Sequence, residues 1–196
     1  MPGRTDRFYK LAKSENYRSR ASYKLIELQE RFSLVDRKDN VLEIGSSPGG
    51  WSQVIASITS GHILSIDINP QERIEGVDFL KGNILSPSLA EKIIEYIHDN
   101  GAGCFDVILS DAMVHTSGNQ SLDHARSVEL CESILSLSER VLCGEGKVVV
   151  KQFQGDLTND FIKKWKERFT RVKVSSVQAS RRGSREIYIV FERRSS

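Results

Sequence analysis

The sequence predicts an α/β fold in which a seven-stranded, mostly parallel sheet carries helices on both faces. From residue 40 onward, short apolar runs alternate with amphipathic segments, which is typical of strands joined by helical crossovers. The last two apolar runs are separated only by QASRRGSR, which is too short for a helical crossover. These two runs should therefore pair as a hairpin, which makes the final strand antiparallel to the others.

The elements follow in chain order, beginning with a helix at 21–32. The predicted strands are NVLEIG (40–45), HILSID (62–67), VDFLKGN (77–83), FDVILSD (105–111), KVVVKQF (147–153), VKVSSV (172–177) and EIYIVFE (186–192). The predicted helices between them cover 51–60, 88–99, 124–142 and 158–169, the last with Thr158 as N-cap. We expect one domain over residues 1–196, with a basic N-terminal extension and helix (1–33) before the core (34–196).

Composition excludes several classes of protein. Apolar residues make up 39% of the chain, which indicates a globular fold rather than a disordered one. No run approaches the ~18 apolar residues of a membrane span, and the Arg/Lys-rich N-terminus lacks the apolar segment of a secretory signal. A cytoplasmic protein without a membrane association is expected.

Cysteine and histidine spacing gives no sign of a metal site. The cysteines form no CxxC pair, and they are predicted to be free thiols in a reducing compartment: Cys104, Cys131 and Cys143. The histidines show no spacing of metal ligands either: His62, His98, His115 and His124.

The charge is unevenly distributed, although the formal net charge is only +2. Residues 1–24 hold seven Lys/Arg against two acidic residues, and residues 181–194 hold five Arg against two Glu. Two basic ends on a mildly acidic body favour an anionic partner, usually nucleic acid. Charge alone is equally compatible with solvated tails.

A glycine-rich turn, VLEIGSSPGGW, follows the first strand and opens a helix, where doubly wound folds bind a nucleotide. In the dinucleotide spacing G-x-G-x-x-G the positions are Gly45, Ser47 and Gly50. Ser47 replaces the glycine that lets backbone approach a pyrophosphate, which disfavours NAD. A ligand without phosphates, such as S-adenosylmethionine, can still lie against Gly49 and Gly50. Asp67 ends the second strand, where it could accept ribose hydroxyls or serve as a turn residue.

Five motifs then occur in order: YRSRASYKL (17–25), LEIGSSPGGWSQ (42–53), FDVILSD (105–111), VVVKQFQG (148–155) and SREIYIV (184–190). Together they resemble the FtsJ/RrmJ family of RNA ribose 2′-O-methyltransferases, from about Arg7 to about Glu192. The resemblance implies a Rossmann-like class I methyltransferase fold and S-adenosylmethionine as the methyl donor. It also implies RNA as the substrate.

The same resemblance implies a catalytic Lys-Asp-Lys-Glu tetrad at Lys24, Asp111, Lys151 and Glu186. The residues alone support part of this. Asp111 and Lys151 end parallel strands and Glu186 begins an antiparallel one, so these three should meet at the carboxyl edge of the sheet. Only the resemblance places Lys24 with them. The hypothesis makes Lys151 the general base, with Lys24 and Glu186 positioning it and the ribose, and Asp111 linking the tetrad to the cofactor.

The cofactor contacts implied by the resemblance are Gly45, Ser47, Pro48, Gly49, Gly50, Trp51, Asp67, Asn83 and Asp111. Two segments depart from the family pattern. Asn83 stands where the family typically has an aspartate near the adenine amino group, and its amide oxygen can still accept that hydrogen bond. AMVHTSG (112–118) replaces the usual Met-Ala-Pro-Asn after Asp111, and this loop is expected to face the substrate.

Basic residues near both ends are expected to hold RNA phosphates beside the tetrad: Arg4, Arg7, Lys10, Arg18, Arg20, Arg181, Arg182 and Arg185. Tyr9 and Tyr17 could stack on bases or simply pack.

The predicted activity is methylation of a uridine ribose in large-subunit rRNA. The expected partner is rRNA within the large ribosomal subunit, and no obligate protein partner is expected. Three alternatives remain at this point. They are a tRNA methyltransferase with the same tetrad, an RNA-binding ribosome-assembly factor with little catalytic role, and a disfavoured NAD-dependent enzyme.

Overall fold

The structure, a computed structural model, describes residues 7–180 and 183–193. Its strands are β1 (Val41–Ile44), β2 (Ile63–Asp67), β3 (Asp78–Lys81), β4 (Phe105–Ser110), β5 (Leu142–Phe153), β6 (Arg171–Ser175) and β7 (Glu186–Glu192). Its helices are α1 (Arg7–Ser14), α2 (Ser22–Phe32), α3 (Gly50–Ile58), α4 (Pro87–Asp99), α5 (Gln120–Val141) and α6 (Thr158–Trp165).

The strands form one sheet in the order β3-β2-β1-β4-β5-β7-β6. Neighbouring pairs among β1 to β5 are parallel, whereas β7 is antiparallel to both β5 and β6. The short connection between β6 and β7 thus forms the hairpin expected from the sequence. The predicted mixed α/β sheet is confirmed.

Helices cover both faces of the sheet because its central strands are apolar on both sides. In β4, Phe105 and Ile108 face a core cluster shared with α4, α5 and α6. Val107 and Leu109 face a second cluster shared with α2 and α3. The alternation buries each strand between two layers of helices and leaves the strand ends as the place for polar side chains.

Several boundaries differ from the prediction. Helix α5 begins at Gln120, four residues early, because the Asn119 side chain accepts the Ser121 and Leu122 N–H groups as its N-cap. Thr158 is not the N-cap of α6, since Leu157 occupies that position. The Thr158 hydroxyl instead donates to Gln152 Oε1 and accepts the Gly155 N–H.

The prediction of three free thiols is wrong. Cys104 and Cys143 form a disulfide with their Cα atoms 5.2 Å apart. Cys104 immediately precedes β4 and Cys143 lies near the start of β5, so the pairing of these neighbouring strands brings the two residues together. Cys131 is the free, buried cysteine among the described residues. The inference of a reducing compartment from free thiols therefore loses its basis.

No helix in the described part of the chain combines the length and apolarity needed to cross a membrane.

Candidate active site

A cavity of about 470 Å³ opens at the carboxyl edge of the sheet. The loops after β1, β2, β3 and β4 form most of its wall, and one side of α5 closes it. Among the predicted cofactor residues, those that line it are Gly45, Ser47, Asp67, Asn83 and Asp111. The cavity has the size of a small-molecule site and lies where doubly wound sheets bind ligands.

The turn after β1 needs glycine for close packing. Gly45 has φ +80°, and a Cβ there would lie 2.4 Å from the Cα of Ala112. Gly49 also has positive φ, at +109°, where it precedes α3. The turn can therefore press against the loop after β4, which forms the opposite wall of the cavity.

The carboxylate of Asp67 joins two loops of the cavity. One oxygen accepts the Ser47 N–H at 2.9 Å, and the other accepts the Asn69 N–H at 2.7 Å. Asn83 Oδ1 similarly accepts the Leu85 N–H at 3.0 Å. Both side chains line the cavity and keep lone pairs for further hydrogen bonds.

The remaining predicted cofactor residues form the end of the turn and the start of α3: Pro48, Gly49, Gly50 and Trp51. They are not among the residues that line the cavity. Trp51 is buried, and its indole Nε1 donates to the carbonyl of Ala21 at 2.8 Å. The side chain thus fastens α3 to the segment just before α2.

The four tetrad residues come together at the strand ends. Lys151 Nζ lies 2.9 Å from Asp111 Oδ1 and donates to the Asp111 carbonyl at 2.6 Å. Lys24 Nζ lies 3.6 Å from the same Oδ1 and 3.1 Å from Glu186 Oε2. Both lysines are buried, with 8% and 7% of their surface exposed for Lys24 and Lys151. Helix α2 therefore brings Lys24 to the site, as the family resemblance implied.

Tyr188 adds a neutral donor to this cluster. Its hydroxyl donates to Asp111 Oδ1 at 2.7 Å, and its ring is fully buried beside Trp51. Burial alone would raise the pKa of Asp111, but Lys151, Lys24 and the Tyr188 hydroxyl hold that pKa below its usual value. Burial and the Asp111 carboxylate raise the pKa of Tyr188 well above its usual value.

A smaller cleft adjoins the cavity on the side of β5 and β7. Its lining includes Lys151, Phe153 and Glu186, and it shares Ala112 and Met113 with the cavity. The loop that departs from the family pattern (112–118) therefore separates two compartments. One compartment presents Asp67 and Asn83, and the other presents the lysine.

The basic residues predicted to bind RNA divide into distinct groups. Arg4, Arg181 and Arg182 lie outside the described residues. Arg7 and Lys10 are exposed on one side of α1. The Arg18 guanidinium donates to the carbonyls of Pro48, Glu72 and Arg73 at 3.3, 2.7 and 2.9 Å.

The other two arginines are also engaged with the protein. Arg20 donates to the carbonyl of Ala179, and the exposed Arg185 donates to Gln120 Oε1 and to the carbonyl of Gln154. Tyr9 is exposed, whereas Tyr17 packs edge-on against Tyr23 with ring centroids 5.7 Å apart. These contacts favour a structural contribution from Arg18, Arg20 and Tyr17.

Sequence reasoning missed three residues near the site. Tyr188 lies two positions after Glu186 on the same strand, so the period of two could have placed both on one face. Glu43 is an acidic residue within a buried strand, which is itself a signal of a hydrogen-bonded network. His124 has no spacing in the sequence that indicates a role, and it is buried between α5 and the loop after β5.

A family model described as FtsJ-like methyltransferase matches residues 17–194. The chain belongs to this family. Two curated relatives named Ribosomal RNA large subunit methyltransferase E show how far the FtsJ-like sequence extends. The protein from Picrophilus torridus is 48% identical over 188 residues, covering 96% of this chain and 97% of the relative. The protein from Thermoplasma acidophilum is 46% identical over 186 residues, covering 95% and 90%.

A solved structure agrees with this FtsJ-like assignment. A crystal structure described as that of a ribosomal RNA methyltransferase from Plasmodium falciparum superposes with a TM-score of 0.80 at 33% identity. The superposition covers 90% of this chain and 98% of the chain in that crystal structure. The resemblance inferred from the motifs, the enzyme class and the Rossmann-like methyltransferase fold are therefore confirmed.

Proposed function

We propose that this FtsJ-like methyltransferase transfers a methyl group from S-adenosylmethionine to the ribose 2′-hydroxyl of a uridine in large-subunit rRNA. The observation that carries the proposal is the convergence of Lys24 and Lys151 on Asp111 beside a ligand-sized cavity. The names of the curated relatives support rRNA as the substrate.

The residues of the cavity fit the proposed methyl donor. Carboxylate oxygens of Asp67 and the amide oxygen of Asn83 can accept hydrogen bonds from ribose hydroxyls and an adenine amino group. Ile68, Leu85 and Met113 line the same cavity and are substantially exposed, so they provide apolar surface for a flat ring. When bound, S-adenosylmethionine would supply an electrophilic methyl group for an in-line displacement.

The tetrad supplies proton transfer and alignment on the acceptor side. Lys151, once the resting cation has released its proton to solvent, would accept the proton of the 2′-hydroxyl as the oxygen attacks. The two hydrogen-bond acceptors of Asp111 fix the Lys151 amine at the end of β5. Lys24 and Glu186 would orient the ribose from the β7 side, and the ionised Asp111 joins this group to the cavity.

RNA would bind to exposed basic residues of α1 and of the segment before β7. Arg7 and Lys10 are exposed on α1, and Arg185 lies next to Glu186, so phosphate contacts there would hold a strand across the tetrad. Lys24 of α2 completes a cluster whose other members lie in or next to β4, β5 and β7. The N-terminal segment (1–33) and the core (34–196) would therefore act as a single domain over residues 1–196. An rRNA substrate also implies a cytoplasmic location.

The test is transfer of labelled methyl groups from S-adenosylmethionine to rRNA, ribosomal subunits and tRNA, followed by digestion to nucleosides. Label should appear in a 2′-O-methyl nucleoside from rRNA or the large subunit. Lys151→Ala should lower the rate by about 10²–10⁴-fold, the usual contribution of a general base. Binding of S-adenosylmethionine should stay nearly unchanged.

Lys163→Ala is the matched control, because Lys163 is an exposed lysine on α6. It should keep the native rate. Label in tRNA alone would replace the rRNA assignment with a tRNA one. Cofactor binding without transfer to any of these RNAs would favour an assembly factor, and native activity in Lys151→Ala would disprove the base assignment.

A further inference from the structure

The first turn of α5 bonds to both loops that line the site. Asp123 and His124 are adjacent and buried. Asp123 Oδ1 accepts the N–H and the hydroxyl of Ser117, at 2.7 and 2.8 Å, and thereby holds the 112–118 loop. His124 instead contacts the loop that follows Lys151, which consists of residues 153–157.

Both ring nitrogens of His124 are engaged by the backbone of that loop. Nδ1 lies 2.7 Å from the Phe153 carbonyl oxygen, which can only accept, so Nδ1 carries the hydrogen. Nε2 lies 3.0 Å from the Leu157 nitrogen, which donates, so Nε2 is the acceptor. The contacts therefore select the neutral imidazole with its hydrogen on Nδ1.

The loop also packs closely against the imidazole ring. The ring is buried, with 4% of the residue exposed. A Cβ added to Gly155 would lie 2.5 Å from Cδ2 of His124. A larger residue at 155 would displace the ring or the loop, so the sequence Gln-Gly-Asp after Phe153 allows this contact.

The loop begins at the last residue of β5, beside the smaller cleft, which is the acceptor cleft of the proposed reaction. Phe153 lines the cleft together with Lys151 and Glu186. Beyond Phe153, the Gln154 N–H donates to the Arg185 carbonyl at 2.9 Å, and the Arg185 side chain donates back to the Gln154 carbonyl. The position of the loop is thus coupled to the backbone immediately before Glu186.

We propose that His124 is a positioning residue for the acceptor side of the site. It holds the 153–157 loop so that Phe153 keeps its position beside Lys151 and Glu186, at the cleft where the ribose would be presented. This inference rests on the proposed function and assigns His124 no contact with the reacting atoms. Asp123 performs the equivalent task for the loop shared with the cofactor cavity, so the two neighbours should have separable effects.

The test compares variants that each retain part of this clamp. In His124→Asn the amide can still donate to the Phe153 carbonyl, and in His124→Gln it can still accept the Leu157 N–H. Each should raise the KM for RNA about tenfold, because a backbone polar group loses its partner and the cleft wall shifts. The Kd for S-adenosylmethionine should stay within about twofold of the native value. His98→Gln, an exposed histidine on α4, is the matched control and should leave both constants unchanged.

Asp123→Asn should show the reverse pattern and weaken S-adenosylmethionine binding more than RNA binding. Hydrogen exchange of the Leu157 amide, measured without substrate, should be faster in His124→Asn than in the native protein. Native kinetics and native exchange in both His124 variants would overturn the proposal. So would a parallel rise of both constants with a lowered Tm, because that pattern indicates general destabilisation.

The exchange measurement separates this inference from the proposed function. If the native protein methylates no RNA but Leu157 exchange is faster in His124→Asn, the RNA assignment fails and the clamp stands. If the native protein is active and exchange is unchanged, the clamp fails and the RNA assignment stands.

Discussion

The partly buried Asp111 and the buried Glu43, which lie at the neighbouring strands β4 and β1, have opposite electrostatic environments. Asp111 follows β4 and contacts two lysines and a tyrosine, and its pKa is lowered. Glu43 lies within β1, and its contacts are the hydroxyls of Ser52 and Ser65. Burial raises the pKa of Glu43 to about 7, because these hydroxyls only partly compensate for the lost hydration.

The difference shows what makes a buried carboxylate useful in this site. The two hydroxyls donate to Oε2 of Glu43, whereas its buried Oε1 has no hydrogen-bond partner among the described residues, so the carboxylate can bind a proton near neutral pH. The two lysine cations keep Asp111 ionised, and Asp111 in turn holds the lysines in place beside the cavity. The charge of Asp111 and the positions of the two lysines therefore depend on each other, and removing one charge should change the position or the pKa of its partners.

Asp111→Asn is expected to have the largest effect, because it removes the shared anion with little change in shape. The methyl-transfer rate should fall by about 10²-fold or more, since Lys151 loses the group that positions it. The free energy of unfolding should fall by about 3–5 kcal/mol, as usual when a buried cation loses its partner. Steady-state kinetics and urea unfolding measure the two effects.

The comparison would be wrong if Asp111→Asn kept the native rate and stability. That result would mean that the lysines do not depend on the Asp111 charge. Glu43→Gln is the internal control for the rate, because Glu43 contacts neither lysine and its substitution should leave the rate of transfer within a few-fold of native.

Glu43→Gln should act on the pH dependence of stability. Since the folded-state pKa of about 7 lies above the ordinary 4.5, the native state binds the extra proton between these values. Stability from this group is therefore complete below about pH 4.5 and is lost as the pH rises through 7, by about 3 kcal/mol in total. Urea unfolding at pH 5 and pH 8 should show this loss in the native protein and not in the variant. Equal losses in both proteins would show that Glu43 does not titrate there.

Much of the site followed from strand order. Asp111 follows β4, Lys151 follows the last residue of β5 that pairs with β4, and Glu186 begins β7, so the sheet topology alone brings them to one edge. Lys24 needed the family resemblance, because its position depends on how α2 packs. Side-chain contacts with distant backbone could not be predicted, because they depend on tertiary packing rather than local pattern.

Arginine positions illustrate this limit most clearly. Arg18 belongs to a run of basic residues that charge alone assigns to RNA. In the structure its guanidinium joins the turn after β1 to residues 72 and 73. The disulfide between Cys104 and Cys143 is a second case, since residues 39 apart in sequence meet only because β4 and β5 are neighbours.

Arg18→Ala tests whether the hydrogen bonds from Arg18 to backbone carbonyls hold the wall of the cofactor cavity. The two lysines have the corresponding role around Asp111. Losing its bonds to Pro48, Glu72 and Arg73 should loosen the turn and raise the Kd for S-adenosylmethionine about tenfold. The matched control is Arg7→Ala, an exposed arginine on α1, which should raise the KM for RNA and leave the cofactor Kd unchanged. Titration calorimetry and transfer kinetics distinguish the two. An effect of Arg18→Ala on RNA alone would return Arg18 to the RNA-binding surface.

Tyr188→Phe is expected to have the smallest effect, because it removes one neutral donor and keeps both cations. The Tyr188 hydroxyl helps to lower the Asp111 pKa, so its loss should raise that pKa. Stability from the ionised Asp111 is present above the ordinary carboxyl pKa and is lost as the pH falls through the folded-state value. Acid unfolding of the variant should therefore begin at a higher pH than in the native protein. The rate of transfer near neutral pH should fall only a few-fold, because Asp111 stays ionised beside Lys151 and Lys24. If the rate fell as far as in Asp111→Asn, the Tyr188 hydroxyl would be the main group that holds the cluster together, and the ion pairs would be secondary.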